Sequence, residues 1–121
     1  MNDAEPDMPP KFNASKLNPL QLRTLALLQE LARDPRTSTP VESGGEALIT
    51  LIPQPHGNHV HIGRRVASVK DASGLWNEAV WNALARKGLA VPNFPVAIRL
   101  TAEGLAYDTR MREKVLHGSD H

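Results

Sequence analysis

The chain contains no cysteine, so disulfides, thiolate metal sites and thiol nucleophiles are all excluded. Aromatic residues make up only 4% of it, against 40% hydrophobic residues in all, so the core must be built from Leu, Ile, Val and Ala. No apolar run approaches the ~18 residues that span a bilayer. The acidic, proline-bearing start, MNDAEPDMPP, is unlike a secretory leader, and a cytoplasmic protein is the expectation. There is no phosphate-binding glycine loop, no carboxylate pair and no nucleophile motif. Ser43, in ESGGE, has no hydrolase context. A non-enzyme without a cofactor is therefore expected. Net charge is small, +1 over 121 residues, but unevenly placed. Residues 1–46 carry seven acids and five bases, whereas residues 47–121 carry six acids and nine bases. An anionic partner, if there is one, suits the second part.

What is present divides the chain into three. Residues 1–16 hold three prolines and no apolar period, which predicts a mobile arm. Residues 17–116 have the patterning of one small domain, interrupted by a polar linker at 35–46. Residues 117–121, HGSDH, read as a frayed tail. Within the domain the first helix is clearly marked. Asn18 is an N-cap, Pro19 the first helical residue and Gln21 the capping-box partner, with Leu17 and Leu22 at the staple positions. Leu20, Leu25, Leu27, Leu28 and Leu31 form its apolar face, opposite Arg23, Gln29, Glu30 and Arg33. Asp34–Pro35 ends it.

ALITLI (47–52) and HVHIG (59–63) read as a hairpin around PQPHGN, with Val60 and Ile62 on one face and His59 and His61 on the other. Residues Arg64 to Lys70 predict a short helix, broken at Ser73–Gly74. A second helix follows over 75–87, with Leu75, Trp76, Ala79, Val80, Ala83 and Leu84 on the buried arc. Asn77, Glu78, Trp81, Asn82 and Ala85 lie on the other arc, and Gly88 terminates the helix. LAV and VAIRL then pair across PNFP. Thr101 caps a last helix running to Leu116, whose apolar stripe is poor. The expected core includes Leu25, Leu28, Leu31, Val80, Leu84, Ile98 and Leu100.

LARKGL (84–89) and LTAEG (100–104) flank the second hairpin, and Gly74 stands six residues before Val80. In these features the stretch from Arg64 to about Leu105 resembles the winged helix-turn-helix of MarR-like bacterial regulators, in which a similar Lys-Gly-Leu enters the wing and a similar Leu-Thr-x-x-Gly leaves it. The resemblance implies an α+β fold: a small winged-helix domain with an additional β-hairpin between the first helix and the helix-turn-helix. The chain departs from the family at Lys70, where a small residue is preferred. Its wing is very short and lacks the Asp-Arg-Arg cluster common in that family.

The function this implies is DNA-binding transcriptional regulation or an accessory role to it. Helix 75–87 would enter the major groove of double-stranded DNA with Asn77, Trp81 and Asn82 nearest the bases. Arg64, Arg65, Lys70 and Arg86 would meet phosphates, and Arg99 on the wing would reach the adjacent backbone. A homodimer, as is usual in that family, would place Leu22, Ala26, Met111 and Val115 at its interface. The alternative is a winged-helix module that binds protein through Trp81 and the first hairpin without contacting DNA. A third reading is a histidine-based metal sensor. His59 and His61 share a strand face near His56, and His117 and His121 stand one helical turn apart, although no carboxylate neighbours them in sequence.

Overall fold

The computed structural model describes residues 12–41 and 44–118. Helix α1, Pro19–Ala32, begins as its sequence dictates. Asn18 Oδ1 accepts the Gln21 N–H at 2.8 Å, and Gln21 Oε1 accepts the Asn18 N–H at 3.0 Å, completing the capping box ahead of Pro19. The staple residues Leu17 and Leu22 are both buried. The buried surface of α1 is much wider than the predicted stripe, taking in Leu22, Thr24, Leu25, Ala26, Leu27, Leu28, Gln29 and Leu31. Gln29, expected on the solvent side, is buried because its amide has partners. Nε2 donates to the carbonyl oxygens of Gly104 at 2.9 Å and Tyr107 at 2.8 Å.

The segment expected to be a polar linker is structured instead. The hydroxyls of Thr37 and Ser38 donate to the Leu31 and Ala32 carbonyls at 2.7 and 2.6 Å, closing the C-terminus of α1. Strand β1, Ser38–Val41, then pairs antiparallel with β2, Glu46–Ile49. The expected pairing of 47–52 with 59–63 does not form. β2 pairs on its other side with β6, Ala97–Leu100, and β6 with β5, Ala90–Asn93, giving the order β1-β2-β6-β5. Both edge strands of this sheet carry a proline, Pro40 and Pro92, which blunts them against strand addition.

β3, His59–Ile62, belongs to a second sheet. It alternates as expected, with Val60 and Ile62 fully buried, but its partner is β4, Arg65–Ser68, where the sequence predicted a helix. The link is the two-residue loop Gly63–Arg64, with Gly63 at φ +60°, a backbone region that glycine enters without strain. β7, His117–Gly118, pairs with the other side of β4, so these two residues are a strand and not part of a frayed tail. Residues 119–121 lie outside the described residues.

After β4 come helix α2, Val69–Ala72, a 3-10 turn, Ser73–Trp76, and helix α3, Glu78–Arg86. Gly74 sits where an added Cβ would lie 1.9 Å from Thr24 Oγ1 on α1, so the turn approaches α1 more closely than any other residue type permits. The last predicted helix is two. α4, Ala102–Ala106, is capped by Thr101 as expected, but the chain then extends and turns before α5, Arg112–Val115. Asp108 and Thr109 accept the N–H groups of Arg110 and Met111, a local turn that competes with helix. The arm expected over 1–16 is tied down where it is described. Asn13 Oδ1 accepts the Tyr107 hydroxyl at 2.6 Å, and the same hydroxyl accepts the Ser15 N–H at 3.0 Å. Residues 1–11 lie outside the described residues.

Among the described residues, then, five α-helices and two small antiparallel sheets make an α+β fold, with no helix long and apolar enough to cross a membrane. The seven expected core residues are all buried, although Val80 stands apart from the contiguous cluster around α1. That cluster also takes in Leu22, Ala26 and Val115, and Met111 packs against it. The four residues assigned to a homodimer interface are thus committed within the chain.

Truncating Leu84 to alanine should cost about 2–5 kcal/mol of stability. Gly74→Ala should cost about 1–3 kcal/mol, and the penalty should shrink in a Thr24→Ala background, because the clash is with that side chain. Urea titration of the wild type, the three single variants and the Gly74→Ala/Thr24→Ala double variant checks both. Equal penalties in the two backgrounds would mean that Gly74 does not rest on Thr24.

Candidate nucleic-acid interface

α3 is set in place from both ends. Asn77 Oδ1 accepts the Ala79 N–H at 2.9 Å, which caps the helix. At the other end the Leu89 N–H returns to the Leu84 carbonyl and the Gly88 N–H to Ala85, each at 3.0 Å, with Gly88 at φ +75°. Thr101 then joins this end to the start of α4. Its hydroxyl donates to the Gly88 carbonyl at 2.8 Å and accepts the Gly104 N–H at 3.0 Å, while its own N–H donates to the Leu89 carbonyl at 3.1 Å. Gly104 lies so close that a Cβ there would come 2.0 Å from the Leu89 oxygen.

The eight residues assigned to DNA from the sequence do not form one surface. Trp81, placed on the open arc, is fully buried. The β5–β6 hairpin folds against that flank of α3, and Phe94, between β5 and β6, meets the indole edge to face with ring centroids 4.8 Å apart. Trp81 therefore reaches neither a base nor a protein partner. Asn77 remains exposed, but its carbonyl oxygen is turned back onto the cap, which holds the amide away from the free two-point geometry that reads adenine. Arg99 lies on β6 and is bonded to the carboxylate of Glu46 on β2. Arg65 Nη2 donates to Glu113 at 3.3 Å and to the Leu116 carbonyl at 3.1 Å, tying β4 to the C-terminal segment.

Asn82 and Arg86 are exposed on α3, Lys70 is exposed on α2, and Arg64 is exposed at the tip of the β3–β4 hairpin. The outward face of α3 also carries Glu78 and Ala79, with Lys87 at its C-cap. Arg64 and Arg65 do not join that face. They line a cleft of about 590 Å3 with Glu30, Arg33, Asp34, Pro35 and Arg36 at the end of α1, and with Arg112 of α5. The sequence offered a signal for this cleft in "IGRR", a glycine in a two-residue link between apolar alternations, but the stretch was read as the start of a helix. In the cleft, hydrogen bonds from the Arg36 side chain and then from its backbone N–H hold the Asp34 carboxyl below its ordinary value of 3.8. Glu30 in turn pushes the Arg112 guanidinium further up.

The histidines come together more than the sequence implied. Ring centroids of His56, His59 and His61 lie 5.1–6.0 Å apart. His61 faces Val66 across β3–β4, and Val66 faces His117 across β4–β7, which puts His61 and His117 on one sheet, while His121 lies outside the described residues. Among the described residues no group of three or more His, Asp or Glu side chains is arranged to hold a metal ion. No family model, curated protein or solved structure matches the chain.

The burial of Trp81 has a direct test. In a Trp76→Phe protein Trp81 is the only tryptophan, and its emission should be blue-shifted and resistant to iodide. Red-shifted, readily quenched emission would put the indole back on the surface.

Proposed function

We propose that the chain is a winged-helix DNA-binding protein of regulatory or accessory type, acting in the cytoplasm, with α3 as its recognition helix. The observation that carries this reading is the order of elements around α3. A strand between the first helix and the helix-turn-helix, β2, pairs with β6 of the hairpin that follows α3, so the wing is rooted in the sheet. The motifs on which the resemblance rests also meet in space, Lys-Gly-Leu and Leu-Thr-x-x-Gly being joined through Thr101, Gly88, Leu89 and Gly104. On this reading Asn82 reads a base edge, Arg86 and Lys87 meet phosphates beside it, and Lys70 meets the flanking backbone. Arg65, Arg99 and Trp81 keep the framework and contact no DNA.

Arg86→Ala should weaken binding to every duplex and make the salt slope shallower by about one unit. Asn82→Ala should instead lower discrimination at one base pair, by about 1–3 kcal/mol. Arg99→Ala should leave the slope unchanged. Fluorescence anisotropy with short duplexes at several salt concentrations reads all three. If no duplex binds at about 100 μM in low salt, where even non-specific binders do, the reading fails.

A second reading, a protein-docking wing, draws on a different feature. Val91 on β5 and Val96 in the wing turn are 46% and 61% exposed. Loss of partner capture on Val96→Ser, with duplex binding absent, would select it.

A further inference from the structure

We infer that the arginine cleft at the end of α1 is a binding site for a small molecule carrying two or more linked phosphates. The inference is independent of α3, since no residue of that helix lines the cleft. Five guanidiniums converge there from four parts of the fold: Arg33 from the end of α1, Arg36 from the turn after it, Arg64 and Arg65 from the β3–β4 hairpin, and Arg112 from α5. Only two carboxylates line the same space, Glu30 and Asp34.

These pairings fix the cleft without neutralising it. Arg36 forks onto Asp34, with Nη2 2.8 Å from Oδ2 and Nε 3.1 Å from Oδ1. Arg112 takes Glu30 at 3.0 and 3.3 Å and Glu113 at 2.9 Å, and Arg33 shares Glu30 at 3.3 Å. A guanidinium has five N–H donors, so each of these keeps some unspent. Arg64 has no bonded carboxylate among the described residues. The Nε of Arg65, like that of Arg23 and the indole Nε1 of Trp81 elsewhere, is buried without an acceptor among the described residues, although the same side chain is otherwise tied to Glu113 and Leu116. Buried donors are normally satisfied, so an orphan beside a cationic cleft points to an acceptor supplied from outside.

The chemistry of the occupant follows from the lining. A carboxylate offers two oxygens, which one guanidinium fork satisfies. Several arginines in excess suit a group with more oxygens and more charge, which is a phosphate, and linked phosphates better than one. No aromatic side chain lines the cleft to stack on a base, so recognition falls on the phosphates, and the organic part of an ester lies outside. The volume, about 590 Å3, is that of ordinary small-molecule sites.

Isothermal titration calorimetry of the full chain at moderate salt, with inorganic pyrophosphate, ADP and citrate as probes, tests this. Pyrophosphate and ADP should saturate with Kd below about 1 mM, and citrate should bind at least about tenfold more weakly. Arg64→Ala removes an exposed side chain from a hairpin tip, so the fold should survive, as its thermal melt checks. It should weaken pyrophosphate about tenfold. Arg86→Ala, on α3, should leave pyrophosphate binding unchanged. Absence of saturable heat would overturn the inference, as would citrate binding equal to pyrophosphate, or equal losses in the two variants, which would mean diffuse charge attraction. Loss of duplex binding on Arg64→Ala in a protein that ignores pyrophosphate would also overturn it, by making the cleft part of a nucleic-acid surface.

Discussion

Everything in this fold is arranged to cover α1. An ordinary surface helix hides one stripe and shows the rest to water, but α1 buries eight of its fourteen residues, Thr24 and Gln29 among them. A single neighbouring layer cannot do that. α2, the 3-10 turn and α3 cover one side, brought into contact by Gly74 against Thr24. The four-stranded sheet, β3 and α5 cover others, through Ile49, Ile98, Val60 and Val115. α4 is fastened by the Gln29 amide, which accounts for two carbonyls of the C-terminal segment. With aromatics scarce, the core is made of leucine, isoleucine and valine, and Trp81 with Phe94 seals the junction of α3 and the β5–β6 hairpin.

Because α1 is held on all sides, the two surfaces of functional interest inherit fixed positions. α3 can turn only its Glu78–Asn82–Arg86 face outward, since its other flanks meet α1, the 3-10 turn and β5. The arginine cleft exists because α1 ends at Arg33, where Asp34 and the Thr37 and Ser38 hydroxyls close the helix and the β3–β4 hairpin comes alongside. Basic residues adjacent in sequence are thereby sent to different places. Lys70 is exposed on α2, while Arg64 and Arg65 face the end of α1.

Local chemistry made several elements legible in the sequence. The capping box at Asn18, the Gly88 terminus of α3, the cap at Thr101 and the alternation of β3 each depend on residues within a few positions of one another, and each formed as read. The errors arose where distant partners decide. β1 has no apolar alternation, and it is a strand because β2 offers its edge. Residues 65–68 have helix-compatible composition, yet β3 and β7 claim them from both sides. Helical periodicity puts Trp81 on the open arc because it counts one helix at a time and knows nothing of a hairpin folding over the flank. Of the candidate site, only Asn82, Arg86, Lys70 and Arg64 kept exposed side chains free of a capping role. The bonds of Arg65 and Arg99 run to Glu113 and Glu46, separations of 48 and 53 residues that no local pattern reports.

The central claim is that α3, rather than the arginine cleft, faces DNA. Amide chemical-shift perturbation on adding a short duplex to the isotope-labelled chain examines it most directly. The account predicts shifts confined to Lys70 and Glu78–Lys87, with the amides of Arg33, Asp34, Arg36 and residues 63–65 unmoved. Shifts centred on 33–36 and 63–65, or none anywhere, would contradict it.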